Sequence, residues 1–361
     1  MSLFCGLTTM VNLAAASSAW LSMIVGTYTD TSSQGIYSYR FNQETGQAEL
    51  TAVTPAQNPS FVIFSEDRQC VYAVDESGTD ADAAVAFRYE GINKPLQRLG
   101  QVPTGGKAPC NIRQVGDCVF TANYTGGSIT EFRTDESGAL KPQNFRIEFD
   151  LTGPAPDTAR QQSAHLHCAI PSPDNKYLLA CDLGNDCIYT FKIKDFATSK
   201  QPLHRFDMPA GSGPRHLTFS ADGLHAYVIT ELSGEVMAFD YSDGQLTLRQ
   251  TVVCDNLNAH GSADIHLSPD GRFLYASNRL KGDGITIYRV NKETGLLSYS
   301  DYQPTATHPR NFAITPNGRY LLCACRDSNV IQVFAINPAT GSLTDTYQDI
   351  NLPRPVCIAF E

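Results

Sequence analysis

The sequence is poor in positive charge and lacks the short motifs that mark several enzyme classes. Its 27 Lys and Arg residues are outnumbered by 37 Asp and Glu residues, and the net charge of −10 disfavours a nucleic-acid-binding surface. The chain contains neither a G-x-S-x-G nucleophile elbow nor a glycine-rich phosphate loop. Beyond residues 1–22, no apolar run is long enough to suggest a membrane span. We therefore expect neither nucleic acid nor membrane as a partner, and an anionic substrate requires a local cationic site.

The eleven cysteines show no zinc-site spacing. No C-x-x-C pair occurs, and Cys323 and Cys325 lie on one face of a predicted strand. His165 and His167 form a possible ligand pair, but the spacing fixes no third ligand. Many of the cysteines fall within predicted strands, where a free thiol packs as a small hydrophobe. We therefore expect no metal, no cofactor and a reducing compartment.

The first 22 residues carry no charge and are rich in Ala, Leu and Ser. They can be read as the remnant of a secretory signal without its basic start, or as an appended segment. In both cases we exclude residues 1–22 from the fold and assign residues 23–361 to one domain. We expect a cytoplasmic protein, with the periplasm as the alternative if the tail is a signal remnant.

One pattern occurs six times: a short strand, a turn of the S-P-D-G type and an apolar strand. The copies begin at Pro59, Pro109, Leu166, Pro214, Ser262 and Pro309, and a truncated copy begins at Pro355. Intervals of about 46 to 57 residues are typical of propellers and related repeat folds. Further strand-like runs follow each copy, and four short strands make one propeller blade.

The two ends of the chain predict one more blade. The runs Ile24–Tyr28 and Gly35–Phe41 supply its later strands but include no first strand. The orphan strand Val356–Phe360 can supply that strand, which closes the ring and removes its exposed sheet edges. The sequence therefore predicts an all-β fold, a single seven-bladed propeller.

The hairpin from Gly213 to Glu231 brings ionisable residues together. Its turn ends at Gly223, and Arg215 and Glu231 are each eight residues from that glycine. Antiparallel pairing therefore places them side by side at the open end of the hairpin, next to His216.

Aligning all the hairpins gives two sets of residues at the same end of the blades. The start ring, one residue into each first strand, comprises Ser60, Cys110, His167, Arg215, Ala263, Arg310 and Val356. The end ring, at the end of each second strand, comprises Glu76, Tyr124, Leu183, Glu231, Arg279 and Arg326. Because innermost strands line the channel of a propeller, both rings should surround one mouth. Four arginines and two glutamates there predict a functional site. The Pro- and Gly-containing segment Asp150–Ser163 is expected to be a surface loop that can cover this site.

The motifs GPRHLTFSADGLHAYVITEL, SADIHLSPDGRFLYASNR and HPRNFAITPNGRYLL resemble those of the seven-bladed-propeller 6-phosphogluconolactonases. GTYT, NPSF and HLHCAIPSPDNKYLL are similar as well, and the resemblance runs from about Ile24 to the C-terminus. This family is related to the fungal 3-carboxy-cis,cis-muconate lactonizing enzymes. The resemblance implies a lactone hydrolase that uses no metal, with a functional cluster at His167, Arg215, Glu231 and Arg279.

Lactone hydrolysis requires an activated water and stabilisation of the developing oxyanion. We assign Glu231 as the general base and His167 as proton carrier or alternative base. Arg215 and Arg279 are expected to stabilise the oxyanion, hold a phosphate and keep Glu231 ionised. Further candidates for substrate binding are Arg326, His216, His266, Arg310, Glu76 and Asn123. An inter-blade structural role is the alternative for His216, His266 and Glu76.

The predicted function is hydrolysis of 6-phospho-D-glucono-1,5-lactone to 6-phosphogluconate in the oxidative pentose phosphate pathway. The expected partner is thus a small phosphorylated sugar lactone, bound by a monomer or weak homodimer. One alternative is a lactonase or cycloisomerase acting on another acidic or sugar lactone. Another is a propeller that binds a partner without catalysis, which has no need for a charged channel mouth.

Overall fold

Strands make up almost all the regular structure of residues 19–199 and 201–361, the parts described by a computed structural model. Within these residues, the strands form seven antiparallel sheets, which confirms the all-β prediction. Residues 1–18 of the predicted tail lie outside the described residues. The first strand begins at Trp20, earlier than the expected boundary at residue 23, because Trp20, Leu21 and Ser22 continue the pairing with the second strand.

The first three blades follow one another along the chain. The first contains β1 (Trp20–Thr27), β2 (Gly35–Asn42) and β3 (Ala48–Pro55). The second contains β4 (Val62–Phe64), β5 (Cys70–Asp75), β6 (Ala83–Arg88) and β7 (Gln97–Pro103). The third contains β8 (Pro109–Val115), β9 (Cys118–Asn123), β10 (Ser128–Thr134) and β11 (Leu140–Glu148).

Blades four to seven repeat this order. The fourth contains β12 (Leu166–Pro171), β13 (Tyr177–Asp182), β14 (Cys187–Lys192), a 3₁₀ helix (Ile193–Thr198) and β15 (His204–Asp207). The fifth contains β16 (Pro214–Phe219), β17 (His225–Thr230), β18 (Glu235–Ser242) and β19 (Gln245–Val253). The sixth contains β20 (Ser262–Leu267), β21 (Phe273–Asn278), β22 (Gly284–Val290) and β23 (Leu297–Pro304). The seventh contains β24 (Pro309–Ile314), β25 (Tyr320–Cys325), a 3₁₀ helix (Arg326–Ser328), β26 (Val330–Ile336), β27 (Leu343–Asp345) and β28 (Ile350–Asn351).

The last strand, β29 (Pro355–Phe360), closes the ring as predicted. It pairs with β1, with Ile24 opposite Ala359 and Val25 opposite Ile358, and so becomes the first strand of the first blade. The first strands contact one another in ring order, and β29 lies between β24 and β4. Seven blades therefore surround one channel, and the predicted seven-bladed propeller is confirmed.

The tight turns between first and second strands have the chemistry that the sequence predicts. In the fifth blade, Ser220 Oγ donates to Asp222 Oδ1 at 2.6 Å and accepts from the His225 amide at 2.9 Å. Gly223 has φ +71°, a conformation that suits glycine. Asp174 and Asp270 accept the same serine bond in their own turns. All three aspartates are therefore turn formers.

The core lies between neighbouring blades. Leu179 of the fourth blade, for example, packs with Val228 and Phe239 of the fifth. All ten cysteines among the described residues are unpaired and buried, as expected for thiols that pack as small hydrophobes. Gly26 permits a close approach of the first and second blades, because a Cβ atom there would lie 2.1 Å from the Pro59 carbonyl oxygen. In the part of the chain that is described, no helix is long and apolar enough to cross a membrane.

Removal of residues 355–361 should abolish cooperative folding. The truncation leaves one edge of β1 unpaired and removes Cys357 and Ile358, both buried between blades. Urea unfolding followed by circular dichroism measures the effect. The full-length Ile358→Val variant is the control, with an expected cost of about 1 kcal/mol. A truncated chain that unfolds cooperatively at the wild-type midpoint would show that β29 is not needed for closure.

Candidate active site

A β-bulge lies at five of the start-ring residues and directs their side chains towards the channel. In the fifth blade Pro214 pairs with Thr230 and His216 with Ile229, so Arg215 is the extra residue. The same shift leaves Cys110, His167, Arg310 and Val356 without a pairing partner in their own blades. A bulge re-aims the side chain it carries. It therefore explains why a residue inside a regular strand can face the channel mouth.

A recurring backbone bond fixes the end ring. The amide of Glu231 donates to the Gly213 carbonyl at 2.8 Å, and that of Arg326 to the His308 carbonyl at 3.0 Å. The Tyr28 amide makes the equivalent bond to the Arg354 carbonyl at 3.1 Å. Tyr28 is thus the seventh member of the end ring, which the sequence analysis missed because its blade is assembled from both ends of the chain.

Glu231 is the centre of the charged cluster. Its Oε2 accepts from Arg215 Nε at 2.8 Å, and its Oε1 accepts from Arg160 Nη2 at 2.7 Å. Arg279 Nη2 lies 3.4 Å from the same Oε1. Glu231, Arg215 and Arg279 are almost fully buried, whereas the Arg160 side chain is 36% exposed. The predicted contact between Arg215 and Glu231 is therefore an ion pair, and Arg160 and Arg279 bind the same carboxylate.

The pKa values of Glu231 and Arg279 are both lowered, but for different reasons. Burial alone would raise the pKa of Glu231, but Arg279, Arg215 and Arg160 outweigh burial and lower it to about 2. Burial lowers the pKa of Arg279 to about 9, although the Glu231 carboxylate partly offsets this effect. Glu231 therefore stays ionised at neutral pH and is a weak base while all three arginines surround it.

Arg160 lies on the insertion predicted to cover the site. Asp157 holds the local turn by accepting from the Arg160 amide at 3.1 Å, and the buried Gln161 side chain donates to the Leu183 carbonyl at 2.9 Å. Arg160 Nη2 also reaches the Tyr124 hydroxyl, at 3.3 Å. Sequence reasoning did not single out Arg160, since an irregular loop gives no register from which a side chain can be placed.

His308 connects Arg279 to Arg326. Its Nε2 lies 3.3 Å from Arg279 Nη1, and its Nδ1 lies 3.2 Å from an Asp327 carboxylate oxygen. Burial, followed by the charges of Arg279 and Arg326, lowers the pKa of His308 to about 2. Arg279 therefore donates to Nε2, and Arg326 Nη2 also lies 3.2 Å from Nδ1. Arg326 itself binds Asp327 through Nε and Nη2, at 2.7 and 3.0 Å.

His167 is buried beside Cys110 and Tyr124. Its Nδ1 lies 3.8 Å from the Cys110 sulfur, and its ring meets the Tyr124 ring edge-on with centroids 5.4 Å apart. Burial, Arg215 and His216 hold the pKa of His167 well below its usual range. The imidazole is therefore neutral.

His216 and His266 both bind Asp264. His216 Nδ1 is 2.7 Å from Asp264 Oδ1, and His266 Nε2 is 2.9 Å from Oδ2. Asn311 and the Phe312 amide donate to Oδ2 as well. Burial and then Arg215 lower the pKa of His216 to about 4. Asp264 thus ties three blades together. His266 makes its hydrogen bond with this aspartate, which belongs to neither the start ring nor the end ring.

Arg310 and Glu76 lie on either side of Tyr28. The Arg310 guanidinium lies over the Tyr28 ring, 5.5 Å from its centroid, and the Tyr28 hydroxyl donates to Glu76 Oε2 at 2.9 Å. Glu76 therefore makes an inter-blade contact within the mouth.

Asn123 is a correction to the sequence analysis. Its side chain is fully buried, and its Nδ2 donates to Ser128 Oγ and Thr130 Oγ1, both at 3.0 Å. It ends β9 and points into its own blade, while the next residue, Tyr124, belongs to the end ring. It is therefore not placed to bind substrate.

Start-ring residues border one small cavity. Ser60, Cys110, His167, Arg215 and Arg310 line a cavity of about 10 Å³, which is the room of about one water molecule. A sugar lactone is much larger than this cavity, so at most one of its atoms fits there. No group of three or more His, Cys, Asp or Glu side chains in residues 19–199 and 201–361 is placed to hold a metal ion.

Known proteins share this architecture along nearly the whole chain. Residues 22–360 match the family described as lactonase, 7-bladed beta-propeller. The 6-phosphogluconolactonase of Formosa agariphila is 36% identical, covering 91% of this chain and 96% of its own. A Bacteroides fragilis protein of known crystal structure is 47% identical, with a TM-score of 0.92 over 96% of this chain and 99% of its own. The periplasmic gluconolactonase of Pseudomonas aeruginosa is 32% identical, with a TM-score of 0.87 over 94% of this chain and 99% of its own.

Fold, site and relatives together define an enzyme that hydrolyses lactones, which are cyclic carboxylic esters. The chain belongs to the seven-bladed β-propeller lactonase family.

Glu231→Gln should destabilise the fold in a pH-dependent manner. The folded-state pKa of about 2 lies below the reference value of 4.5, so ionised Glu231 contributes about 3 kcal/mol above pH 5. That contribution is lost as the pH falls from 4.5 towards 2, so the gap in unfolding free energy between wild type and variant should narrow over this range. Urea unfolding at several pH values measures it. Glu49→Gln is the control, because Glu49 pairs with Arg40 at the exposed surface, and it should lower the unfolding free energy by less than about 1 kcal/mol. A difference in unfolding free energy between wild type and Glu231→Gln that does not change with pH would contradict the depressed pKa.

Asn123→Ala should lower stability without changing substrate affinity. Loss of the amide leaves Ser128 and Thr130 short of a partner, at a cost of about 2 to 4 kcal/mol. Asn278→Ala is the matched control, because Asn278 bonds Thr286 Oγ1 at 3.0 Å in the equivalent position of the sixth blade. Denaturant unfolding and steady-state kinetics give the two readouts. A raised KM at wild-type stability would return Asn123 to the binding site.

Proposed function

We propose that the protein hydrolyses 6-phospho-D-glucono-1,5-lactone to 6-phosphogluconate, as a step of the oxidative pentose phosphate pathway. The observation that carries this proposal is the cluster of Arg160, Arg215 and Arg279 around the single carboxylate of Glu231. This cluster leaves a net positive mouth on a chain with net charge −10, which suits an anionic substrate. The Formosa agariphila relative, itself a 6-phosphogluconolactonase, supports the choice of substrate.

Arg160 is the arginine best placed to take the phosphate. All three nitrogens of Arg279 are engaged, with the Gly261 carbonyl, His308 and Glu231. Arg160 uses only Nη2 among the described contacts, so its Nε and Nη1 can donate to phosphate oxygens. Its partial exposure at the rim also fits a group that meets a solvated dianion first.

Phosphate binding would activate Glu231. A dianion beside Arg160 offsets the positive charge that depresses the pKa of Glu231 and competes for the donor that occupies Oε1. Glu231 then takes a proton from water as the water oxygen bonds to the lactone carbonyl carbon, and the carbonyl electron pair moves to its oxygen. When the tetrahedral intermediate collapses, the bond from this carbon to the ring oxygen breaks, and the ring oxygen receives the proton.

His167 is the alternative base. Its ring is neutral, lines the channel cavity and makes no described hydrogen bond through Nε2. It can therefore accept a proton if Glu231 stays paired with the arginines.

We also propose that the protein acts in the cytoplasm as a monomer or weak homodimer. The ten unpaired, buried thiols are compatible with a reducing compartment and support the location.

Wild type should accelerate hydrolysis of freshly generated 6-phosphogluconolactone above its spontaneous rate. Glu231→Gln should lose at least about 100-fold in kcat if Glu231 is the base, and His167→Ala should lose less. The opposite order would assign the base to His167. The assay follows the acid released at constant pH, with circular dichroism to confirm folding. Acceleration of unphosphorylated glucono-1,5-lactone alone would instead favour the activity of the Pseudomonas aeruginosa relative.

Arg160→Gln should raise the KM for 6-phosphogluconolactone about 10- to 100-fold, because charge-assisted bonds to the phosphate are lost. The KM for glucono-1,5-lactone should change little, since that substrate has no phosphate. Arg205→Gln is the matched control: Arg205 holds the same loop through Thr152 Oγ1 at 2.7 Å but does not contact Glu231. Equal effects of Arg160→Gln on both lactones would show that Arg160 does not recognise phosphate.

A further inference from the structure

Arg310 differs from the other arginines at the channel mouth. The guanidinium groups of Arg160, Arg215 and Arg279 all donate to Glu231 or to backbone carbonyls, and Arg326 binds Asp327. Arg310 makes no hydrogen bond or ion pair with any residue in the described part of the chain. Its guanidinium lies over the face of the Tyr28 ring. All five N–H donors of this partly buried group are therefore available to a ligand.

Tyr28 holds Arg310 without consuming its donors. A guanidinium stacked on an aromatic ring is attracted through its face, so the N–H groups around its edge stay free. The Tyr28 hydroxyl is in turn fixed by its bond to Glu76, at 2.9 Å. The ring is thus a rigid support for the guanidinium.

Ser60 supplies a second unused donor. The residue is 4% exposed, and its Oγ has no hydrogen-bond partner within residues 19–199 and 201–361. A buried hydroxyl without a partner is costly. Ser60 and Arg310 line the same cavity, so the buried hydroxyl and the guanidinium border one space.

The size of that space restricts its occupant. A volume of about 10 Å³ accepts about one oxygen atom, whereas a phosphate group with its four oxygens does not fit. The lining is rich in donors: Arg310 and Ser60 can both donate, and Arg215 borders the cavity as well. A single acceptor oxygen with developing negative charge suits such a lining.

We infer that Ser60 and Arg310 seat the carbonyl oxygen of the lactone and stabilise the oxyanion that forms there, with Tyr28 as the positioning residue for Arg310. The inference rests on the proposed function only in requiring a lactone substrate. It extends the sequence-based assignment, which gave the oxyanion to Arg215 and Arg279. When water attacks, the electron pair of the carbonyl bond moves onto the oxygen held in this seat, and it returns when the ring oxygen leaves.

The test compares two lactones that differ only in the phosphate. Arg310→Gln should lower kcat about 100- to 1000-fold, the usual effect of losing an oxyanion donor, and by the same factor for 6-phosphogluconolactone and glucono-1,5-lactone. Arg310→Lys keeps the charge but loses the planar fork and should recover only part of the loss. Ser60→Ala should lower kcat about 10-fold on both substrates. The exposed Arg319→Lys change, also in the seventh blade, is the control for folding and should leave both rates unchanged.

Tyr28 is tested by conservative rescue. Tyr28→Leu removes the ring and should lower kcat on both lactones, whereas Tyr28→Phe keeps the ring and should restore most of that loss with little change in KM. A role limited to packing would affect stability in the two variants but would not separate kcat from KM.

Three results would overturn the inference. A loss for Arg310→Gln confined to the phosphorylated lactone and to KM would make Arg310 a phosphate ligand. Wild-type kcat in Arg310→Gln and Ser60→Ala would leave the seat without a role. The third comes from calorimetry with gluconate, which carries a carboxylate but no phosphate. The affinity for gluconate should fall at least about 10-fold in Arg310→Gln. An unchanged affinity would show that Arg310 does not bind the oxygen of the substrate's carbonyl group. Because gluconate binding needs no turnover, it decides the inference even if wild type hydrolyses neither lactone and the proposed function fails.

Discussion

The charge of Glu231, buried at the channel mouth, is the constraint on which the site depends. A carboxylate removed from water is costly unless it is paired and hydrogen-bonded, and here Arg215, Arg160 and Arg279 share it. Three cations for one anion leave an excess of positive charge, which depresses the pKa of Glu231 to about 2. The arrangement that makes the carboxylate tolerable in the fold is therefore also the source of the positive charge at the mouth, to which our proposal assigns the binding of an anionic substrate and the restraint of the base.

The propeller makes this arrangement possible by repeating a small irregularity. Each start-ring residue followed in the pairing sits at a β-bulge, and the end-ring amides of Glu231, Arg326 and Tyr28 bond the chain just before a first strand. Neighbouring blades consequently deliver side chains to one mouth at fixed positions. Where this bulge recurs, residue type decides the chemistry: Arg215 faces Glu231. Ala263 in the next blade offers only a carbonyl, to Arg215 Nη1 at 2.6 Å.

The sequence predicts the fold well because the repeat interval, the turn chemistry and the orphan strand Val356–Phe360 are all local signals. It also predicts the pairing of Arg215 with Glu231, which follows from counting along one hairpin. It fails where geometry depends on distant segments. Arg160 reaches the site from an irregular loop, and Tyr28 joins the end ring only once the two ends of the chain meet. Asn123 was misassigned by a single position, since neighbouring strand residues face opposite ways.

The arginines of the mouth differ in what their donors already do, and this difference separates their roles more clearly than their positions do. Arg279 spends every nitrogen on the protein, so it fixes Glu231 and His308 and has little left for a ligand. Arg160 keeps two nitrogens and is partly exposed, which suits a solvated phosphate at the rim. Arg310 keeps all its donors above a cavity that holds about one atom. A phosphate is too large for that cavity, and a lone carbonyl oxygen would gain little at the rim. Size and donor count therefore support our proposal that the phosphate and the carbonyl oxygen of the substrate bind at different arginines.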